Sequence, residues 1–233
     1  KSKFSSINFT VGSVFYEHLM EALNKISINV SNISIALKQF KLNKISINGP
    51  DKHGEGEMKI IDNIKNKVNN EKHKSKFNYI IHSNDSDTVL LSLLIPSPNI
   101  ILINKTTIYN IEKLKDFLCN YVKYKTNKHN YDINKRLIIR DIVLVLSFMG
   151  NDFLGKCITI TPSIKVLLSI LQDIYSNIPY YKTISSYINN TFIIDKNIFS
   201  KYVEKLCVLE KEYLKSNNLR LIVGKYNCEI LIN

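Results

Sequence analysis

The sequence predicts an α/β fold with a largely parallel sheet flanked by helices and a mainly helical C-terminal part. Short apolar segments with the composition of strands alternate with segments of helical spacing in residues 1–155. Residues 156–233 carry mostly helical spacing. We therefore expect an α/β core over residues 1–155 and a helical extension of the same domain over residues 156–233.

The first predicted elements are a helix, a short strand and a second helix. Residues 13–25 have apolar side chains at helical spacing, and Ser13 is a suitable N-cap. Residues 44–48 alternate like a strand and end at the turn signal Gly49-Pro50. The helix that follows Gly54 is expected to bury one apolar face, made of Met58, Ile60, Ile61 and Ile64.

The remaining elements are predicted from apolar segments and from the residues that end them. Residues 77–82 form a buried-strand candidate, and residues 99–104 form the next one. Between them, residues 88–95 should be helical until Pro96 stops the helix. Further along the chain, we expect a polar helical region to about 128, an apolar helix at 133–149, mostly helix at 161–214 and a strand or hairpin at 220–232.

The composition indicates which partners to consider. The formal net charge is +12, which favours a polyanionic partner such as nucleic acid, although a compositional bias toward lysine explains it equally well. The four cysteines are far apart and form no Cys-x-x-Cys pair, which argues against zinc and against a disulfide scaffold. No apolar run reaches the roughly 18 residues of a membrane span. We expect no membrane partner and an intracellular location, cytoplasmic rather than nuclear.

Three acidic motifs lie where predicted elements change. They are GEGE at 54–57, Asp85-Ser86-Asp87 after a strand, and Gly150-Asn151-Asp152 after an apolar helix. Carboxylates that converge repel one another unless a cation binds them, and Mg²⁺ prefers such oxygen ligands. Two ions can activate a water and stabilise a leaving oxygen in phosphodiester hydrolysis. Each motif alone is also typical of a turn or a helix cap.

At these motifs the sequence resembles the XRN-type 5′→3′ exoribonucleases. GEGEMKIIDNI (54–64), NYIIHSNDSDTVLLSLL (78–94) and RDIVLVLSFMGNDFL (140–154) are similar to three blocks of that family, in the same order. Weaker similarity covers residues 9–23 and 193–214. The resemblance implies a Rossmann-like core related to flap endonucleases and PIN domains, with residues 1–155 as the downstream part of the nuclease core.

The resemblance also implies the chemistry and the partners. The implied activity is Mg²⁺-dependent hydrolysis of 5′-monophosphorylated, single-stranded RNA from the 5′ end, with a two-ion site that Mn²⁺ could also fill. The expected catalytic and metal-binding residues are Glu55, Glu57, Asp85, Asp87 and Asp152. Lys52, His53 and Lys59 adjoin the first motif, and we consider them as nucleic-acid contacts, although ordinary surface residues fit as well.

The sequence departs from the family in three respects. Met58 stands where the family has histidine, and Gly155 where it has proline; neither change removes an acidic ligand. The family's first strand, two further aspartates and a basic helix that grips the 5′ phosphate would precede Lys1. We therefore expect the upstream part of the same protein to complete the site. A structure-specific flap endonuclease acting on DNA and an inactive nucleic-acid-binding scaffold are the alternative functions.

Overall fold

The computed structural model of the chain describes residues 10–29, 44–50, 52–70, 77–97, 99–123, 134–150, 163–179, 182–188 and 191–216. The chain divides into two compact units, residues 1–63 and residues 64–233. The predicted boundary between residues 155 and 156 lies outside the described residues and stays a prediction.

The described residues of the first unit include one complete helix and the start of a second. Helix α1 (Val14–Ile28) begins where the Ser13 hydroxyl accepts a hydrogen bond from the backbone N–H of Tyr16 at 3.2 Å, as its N-cap role predicts. Helix α2 (Gly56–Asn70) begins within the GEGE motif, and the boundary between the units falls inside this helix. The strand predicted at 44–48 was wrong: the segment is irregular, because alternation makes a strand only where a neighbouring strand supplies hydrogen bonds.

After the end of α2, the second unit contains a small mixed sheet. Strand β1 (Tyr79–His82) pairs in parallel with β2 (Ile100–Asn104), with Tyr79 opposite Ile100. Helix α3 (Asp87–Leu93) makes the crossover between them, as predicted. Strand β3 (Thr107–Asn110) then pairs with β2 antiparallel, so only one of the two strand pairs described in this sheet is parallel.

The predicted sheet therefore needs a correction. Mixed α/β architecture is confirmed, but the described residues contain three- and two-stranded sheets rather than one large parallel sheet. Strand β3 lies where a polar helical region was expected. The β2–β3 turn escapes detection because Lys105 adopts a positive φ of 51°, a conformation that usually selects glycine or asparagine.

After β3, the described residues of the second unit form four α-helices and a hairpin. The helices are α4 (Ile111–Lys123), α5 (Lys135–Leu146), α6 (Ile164–Asn177) and α7 (Lys196–Ser216). Strands β4 (Ser185–Ile188) and β5 (Thr191–Ile194) form an antiparallel hairpin inside the stretch that was predicted mostly helical. Helix α5 packs against α4, α6 and β4, and α6 packs against α7. Isoleucines of α5, Ile138 and Ile142, are completely buried in this core.

One buried carboxylate, Asp141 of α5, joins α5, α6 and the β4 hairpin. Asp141 is fully buried, and its Oδ2 accepts hydrogen bonds from the Tyr175 hydroxyl and from the Ile184 N–H, both at 2.6 Å. Its Oδ1 accepts one from the Ser185 N–H at 2.9 Å and another from the Ser185 hydroxyl. Burial raises the pKa of Asp141, and hydrogen bonds from Ser185, Tyr175 and Ile184 oppose that rise. A single side chain thus fixes where the hairpin begins.

The described helices give no sign of a membrane segment. None of them combines the length and the apolar character that a transmembrane helix requires.

Candidate nuclease site

Asp85 and Asp87 lie in a turn, residues 83–87, at the carboxyl end of β1. The turn leads directly into α3, whose first residue is Asp87. The neighbouring strand β2 runs parallel to β1, so the carboxyl ends of both strands meet at this edge of the sheet. In α/β sheets, ligands bind in the crevice beyond this edge. The structure therefore positions this predicted pair where a ligand can reach it.

Hydrogen bonds hold the turn from both sides. Within it, the Asp87 N–H donates to Oδ1 of Asp85 at 2.9 Å, and the Asp85 N–H donates to the Ser83 hydroxyl at 3.2 Å. From β2, the Asn104 amide donates to the backbone carbonyl of Asp85 at 3.0 Å, and the Lys105 N–H donates to the Asn84 amide oxygen at 3.2 Å. The backbone of Asp85 is thereby fixed, while its side chain stays exposed.

The sequence reasoning overlooked Asn104. Its signal was present in its position, because Asn104 ends the strand that was predicted to follow the Asp85 turn. An amide at the end of a neighbouring parallel strand is well placed to hold a loop at that edge.

The glutamate pair lies at the start of α2 in the first unit. The Glu55 carbonyl accepts the first helical hydrogen bond, from the Lys59 N–H at 3.0 Å. Glu57 stands in the first turn of the helix and is half-buried, whereas Glu55 is exposed. Negative side chains are favoured at a helix N-terminus, so the local position is stable without a metal ion as well.

The backbone conformation just before α2 requires glycine at position 54. Its φ is +95°, and a Cβ added there would meet no atom within 4 Å. We expect Gly54→Ala to lower the free energy of unfolding of the chain by about 1 kcal/mol, because an L side chain strains this conformation. Gly56→Ala is the matched control: the same addition meets no atom within 4 Å at a helical position, so it should be neutral or slightly stabilising. Urea unfolding of both variants measures the difference, and equal effects would contradict the assignment.

The three predicted nucleic-acid contacts occupy different environments. Lys52 is exposed and its amine donates to the Asn48 amide oxygen at 2.7 Å. His53 is exposed. Lys59 is half-buried, and its amine donates to the Gly49 carbonyl at 2.8 Å, which ties α2 to the preceding loop. Their contacts with nucleic acid stay predictions.

The convergence of the five carboxylates also stays a prediction. Glu55 and Glu57 belong to the first unit, and Asp85 and Asp87 belong to the second. Asp152 lies outside the described residues. Within the described part of the chain, no group of three or more His, Cys, Asp or Glu side chains is arranged to hold a metal ion.

Comparison with known proteins identifies the relatives of this chain. Residues 1–106 match the family described as "XRN 5′-3′ exonuclease N-terminus", a range that contains the glutamate pair and the Asp85 turn. A curated protein of Acanthamoeba polyphaga mimivirus, named as a 5′-3′ exonuclease, is 27% identical over 184 residues, which cover 71% of this chain and 28% of that protein. The 5′-3′ exoribonuclease 1 of Schizosaccharomyces pombe is 24% identical over an alignment 241 residues long, gaps included, that covers 93% of this chain and 17% of that protein. The chain thus spans only 28% and 17% of the lengths of these relatives.

Proposed function

We propose that this chain belongs to the XRN 5′-3′ exonuclease family and forms part of the catalytic domain of an Mg²⁺-dependent 5′→3′ exoribonuclease. The observation that carries the proposal is the position of Asp85 and Asp87. Both lie inside the family match and at the carboxyl edge of a parallel strand pair. The relatives' names supply the polarity of degradation and, in one case, RNA as the substrate.

The unit β1–α3–β2 fits the proposed Rossmann-like core. A parallel pair joined by a helical crossover is the repeating element of such sheets. We infer that further parallel strands come from other parts of the same protein. Strand β3, antiparallel to β2, would then close one edge of the sheet.

The donor set suits magnesium. Asp85, Asp87, Glu55, Glu57 and Asp152 offer only carboxylate oxygens, the hard ligands that Mg²⁺ prefers and Mn²⁺ also accepts. Bound ions would activate a water and stabilise the leaving oxygen of the phosphodiester. Asp85 has one oxygen engaged by the Asp87 N–H, which leaves its second oxygen for a ligand and keeps the carboxylate aimed by the turn. The exposure of Asp85 gives a phosphate direct access to it.

The proposed substrate is single-stranded RNA with a 5′ monophosphate. We expect the pocket for that phosphate, and two further carboxylates, in the upstream part of the same protein. The free thiols Cys119 and Cys207 are consistent with a reducing compartment, and we propose the cytoplasm as the location. The DNA flap endonuclease and scaffold alternatives gain no support from the relatives' names.

The decisive test uses the full-length protein and three labelled substrates: 5′-monophosphorylated RNA, the same RNA with a 5′ hydroxyl, and a branched DNA flap. We expect Mg²⁺-dependent release of mononucleotides from the first substrate only, and its loss in EDTA. Preferential cleavage of the DNA flap would replace the proposal with the endonuclease alternative. Metal-independent RNA binding without any cleavage would support the scaffold instead.

A further inference from the structure

A basic groove crosses the second unit at the C-terminal end of α3. It consists of two adjoining cavities of about 320 Å³ and 490 Å³ that share Leu94, Pro96, Arg136 and Arg140. Helix α3 has seven residues, so Asp87 at its first turn stands about 10 Å from this end. The basic groove is therefore separate from the Asp85 turn.

The basic groove carries a strong excess of positive charge. Its charged lining residues are five cations and one acid: Lys65, Lys115, Lys135, Arg136, Arg140 and Glu112. The acid is already neutralised, because Glu112 accepts a hydrogen bond from the Lys135 amine at 2.5 Å. The Lys115 amine is buried in the wall of the basic groove and donates to the Ile95 carbonyl at 2.7 Å. Its positive charge therefore adds to the positive potential of the groove from within the wall.

Two arginines of the basic groove have no carboxylate partner in the part of the chain that the structure describes. Arg136 and Arg140 lie one helical turn apart on α5, and both line both cavities. Like charges at this spacing destabilise a helix. Burial and the charge of Arg136 both lower the pKa of Arg140, which is consistent with that repulsion. An anion between the two side chains would relieve it.

The smaller cavity also presents a helix N-terminus and a buried hydroxyl. Its wall includes Asn134, Lys135 and Arg136 at the N-terminus of α5, where the helix dipole favours an anion, although the Arg136 N–H already donates to the Asn134 amide oxygen at 2.9 Å. Ser97 lines the same cavity and is 2% exposed, and its hydroxyl has no hydrogen-bond partner within the described structure. A buried hydroxyl without a partner is unfavourable, and an anionic oxygen in the cavity would supply one.

Aromatic rings beside the arginines indicate which polyanion fits. The Arg140 guanidinium lies 4.9 Å from the centre of the Tyr187 ring and 5.6 Å from that of Phe192. Both rings belong to the β4–β5 hairpin, and they are 49% and 43% exposed. Cations that follow a backbone, together with exposed rings on which bases stack, are typical of single-strand binding surfaces. An acidic peptide would use the cations but would have no use for the rings.

We propose that the basic groove binds the phosphate backbone of single-stranded RNA at a point separate from the carboxylates that would cleave it. The phosphates would lie between Arg136 and Arg140 and reach the Ser97 hydroxyl, and a base would stack on the hairpin rings. The identity of the polymer rests on the proposed function, whereas the anion site rests on the geometry of the basic groove alone. The surface would hold the strand while its end is processed.

The test is a binding measurement in EDTA, where no cleavage occurs. Fluorescence anisotropy of a labelled 12-nucleotide oligouridylate is followed over a range of salt concentrations for the 233-residue chain and for R136Q/R140Q. Glutamine keeps helix propensity, and the Asn134 cap uses the backbone of Arg136, so folding should persist. We expect roughly tenfold weaker binding and a salt slope reduced by about 1.4. The matched control K113Q/K201Q removes two exposed charges outside the basic groove and should bind within about twofold of the parent chain.

Each other outcome overturns the proposal. Equal losses in both double variants would reduce the effect to general charge, and unchanged binding of R136Q/R140Q would exclude the basic groove. Equally effective displacement of the RNA by a 12-residue polyglutamate would make the basic groove a protein-docking site. Failure of the proposed function is distinguishable, because it would abolish cleavage by the full-length protein in Mg²⁺ and leave the binding difference in EDTA intact.

Discussion

Asp85→Asn is expected to reduce Mg²⁺-dependent RNA hydrolysis by the full-length protein about a thousandfold, because a bound metal ion contributes several kcal/mol to the transition state. Asparagine retains the side-chain oxygen that accepts the Asp87 N–H at 2.9 Å, so the turn should keep its shape. It loses the negative charge that holds the ion. The substitution therefore separates the chemical role of Asp85 from its structural role. The measurement is the single-turnover rate of nucleotide release.

The matched control for this substitution is Asp62→Asn. Asp62 is exposed on α2 and lies outside the predicted ligand set, so both activity and stability should change little. Asp87→Asn should behave like Asp85→Asn, with the thermal midpoint of each variant close to that of the parent. Full activity in both turn variants would remove these aspartates from the reaction. Unfolding of both variants would instead assign the turn a structural role.

Asp141→Asn is expected to lower the free energy of unfolding of the chain by about 3 kcal/mol. The carboxylate accepts four hydrogen bonds, from Tyr175, Ile184 and two groups of Ser185. An asparagine NH₂ must face at least one of those donors, so at least one buried donor loses its acceptor. Tyr175→Phe removes a single donor and should cost about 1 kcal/mol. Urea unfolding followed by circular dichroism measures both changes.

A control and the pH dependence sharpen this prediction. Asp173→Asn removes an exposed carboxylate paired with Lys205 and should cost less than about 1 kcal/mol. Burial raises the pKa of Asp141, so the folded chain binds that proton more readily than the unfolded chain does. The stability that Asp141 contributes through its proton is complete below the ordinary carboxyl pKa and declines as the pH rises through the folded-state pKa. The difference in the free energy of unfolding between the parent chain and Asp141→Asn should therefore shrink as the pH rises in that range. A difference that instead grows would show that the four hydrogen-bond donors outweigh the effect of burial.

Secondary structure was predictable wherever local signals were complete. The Ser13 cap, the apolar strand before Asp85, and the helix stopped before Pro96 all appear in the structure. Strand β3 was missed because its turn places Lys105, rather than glycine or asparagine, at a positive φ. The β4–β5 hairpin was missed although Asn189-Asn190 separates its two strands in the sequence, a turn signal that the helical prediction for this stretch did not use. The strand predicted at 44–48 failed for the opposite reason, since its alternating pattern has no partner strand within the described structure.

The sequence by itself determined the similarity to the XRN 5′-3′ exonuclease family and the candidate chemistry, because carboxylates at the ends of apolar segments form short, ordered blocks that similarity can recognise. Only the tertiary structure decided which hydrogen bonds hold the Asp85 turn, since Asn104 is 19 residues away in the chain. Likewise, Asp141 reads as an interruption of an apolar helix until folding brings Tyr175 and Ser185 to it across more than 30 residues. The basic groove has the same origin. Charge is a property of the composition, but whether two arginines face an acid or an open cavity depends on packing between distant segments.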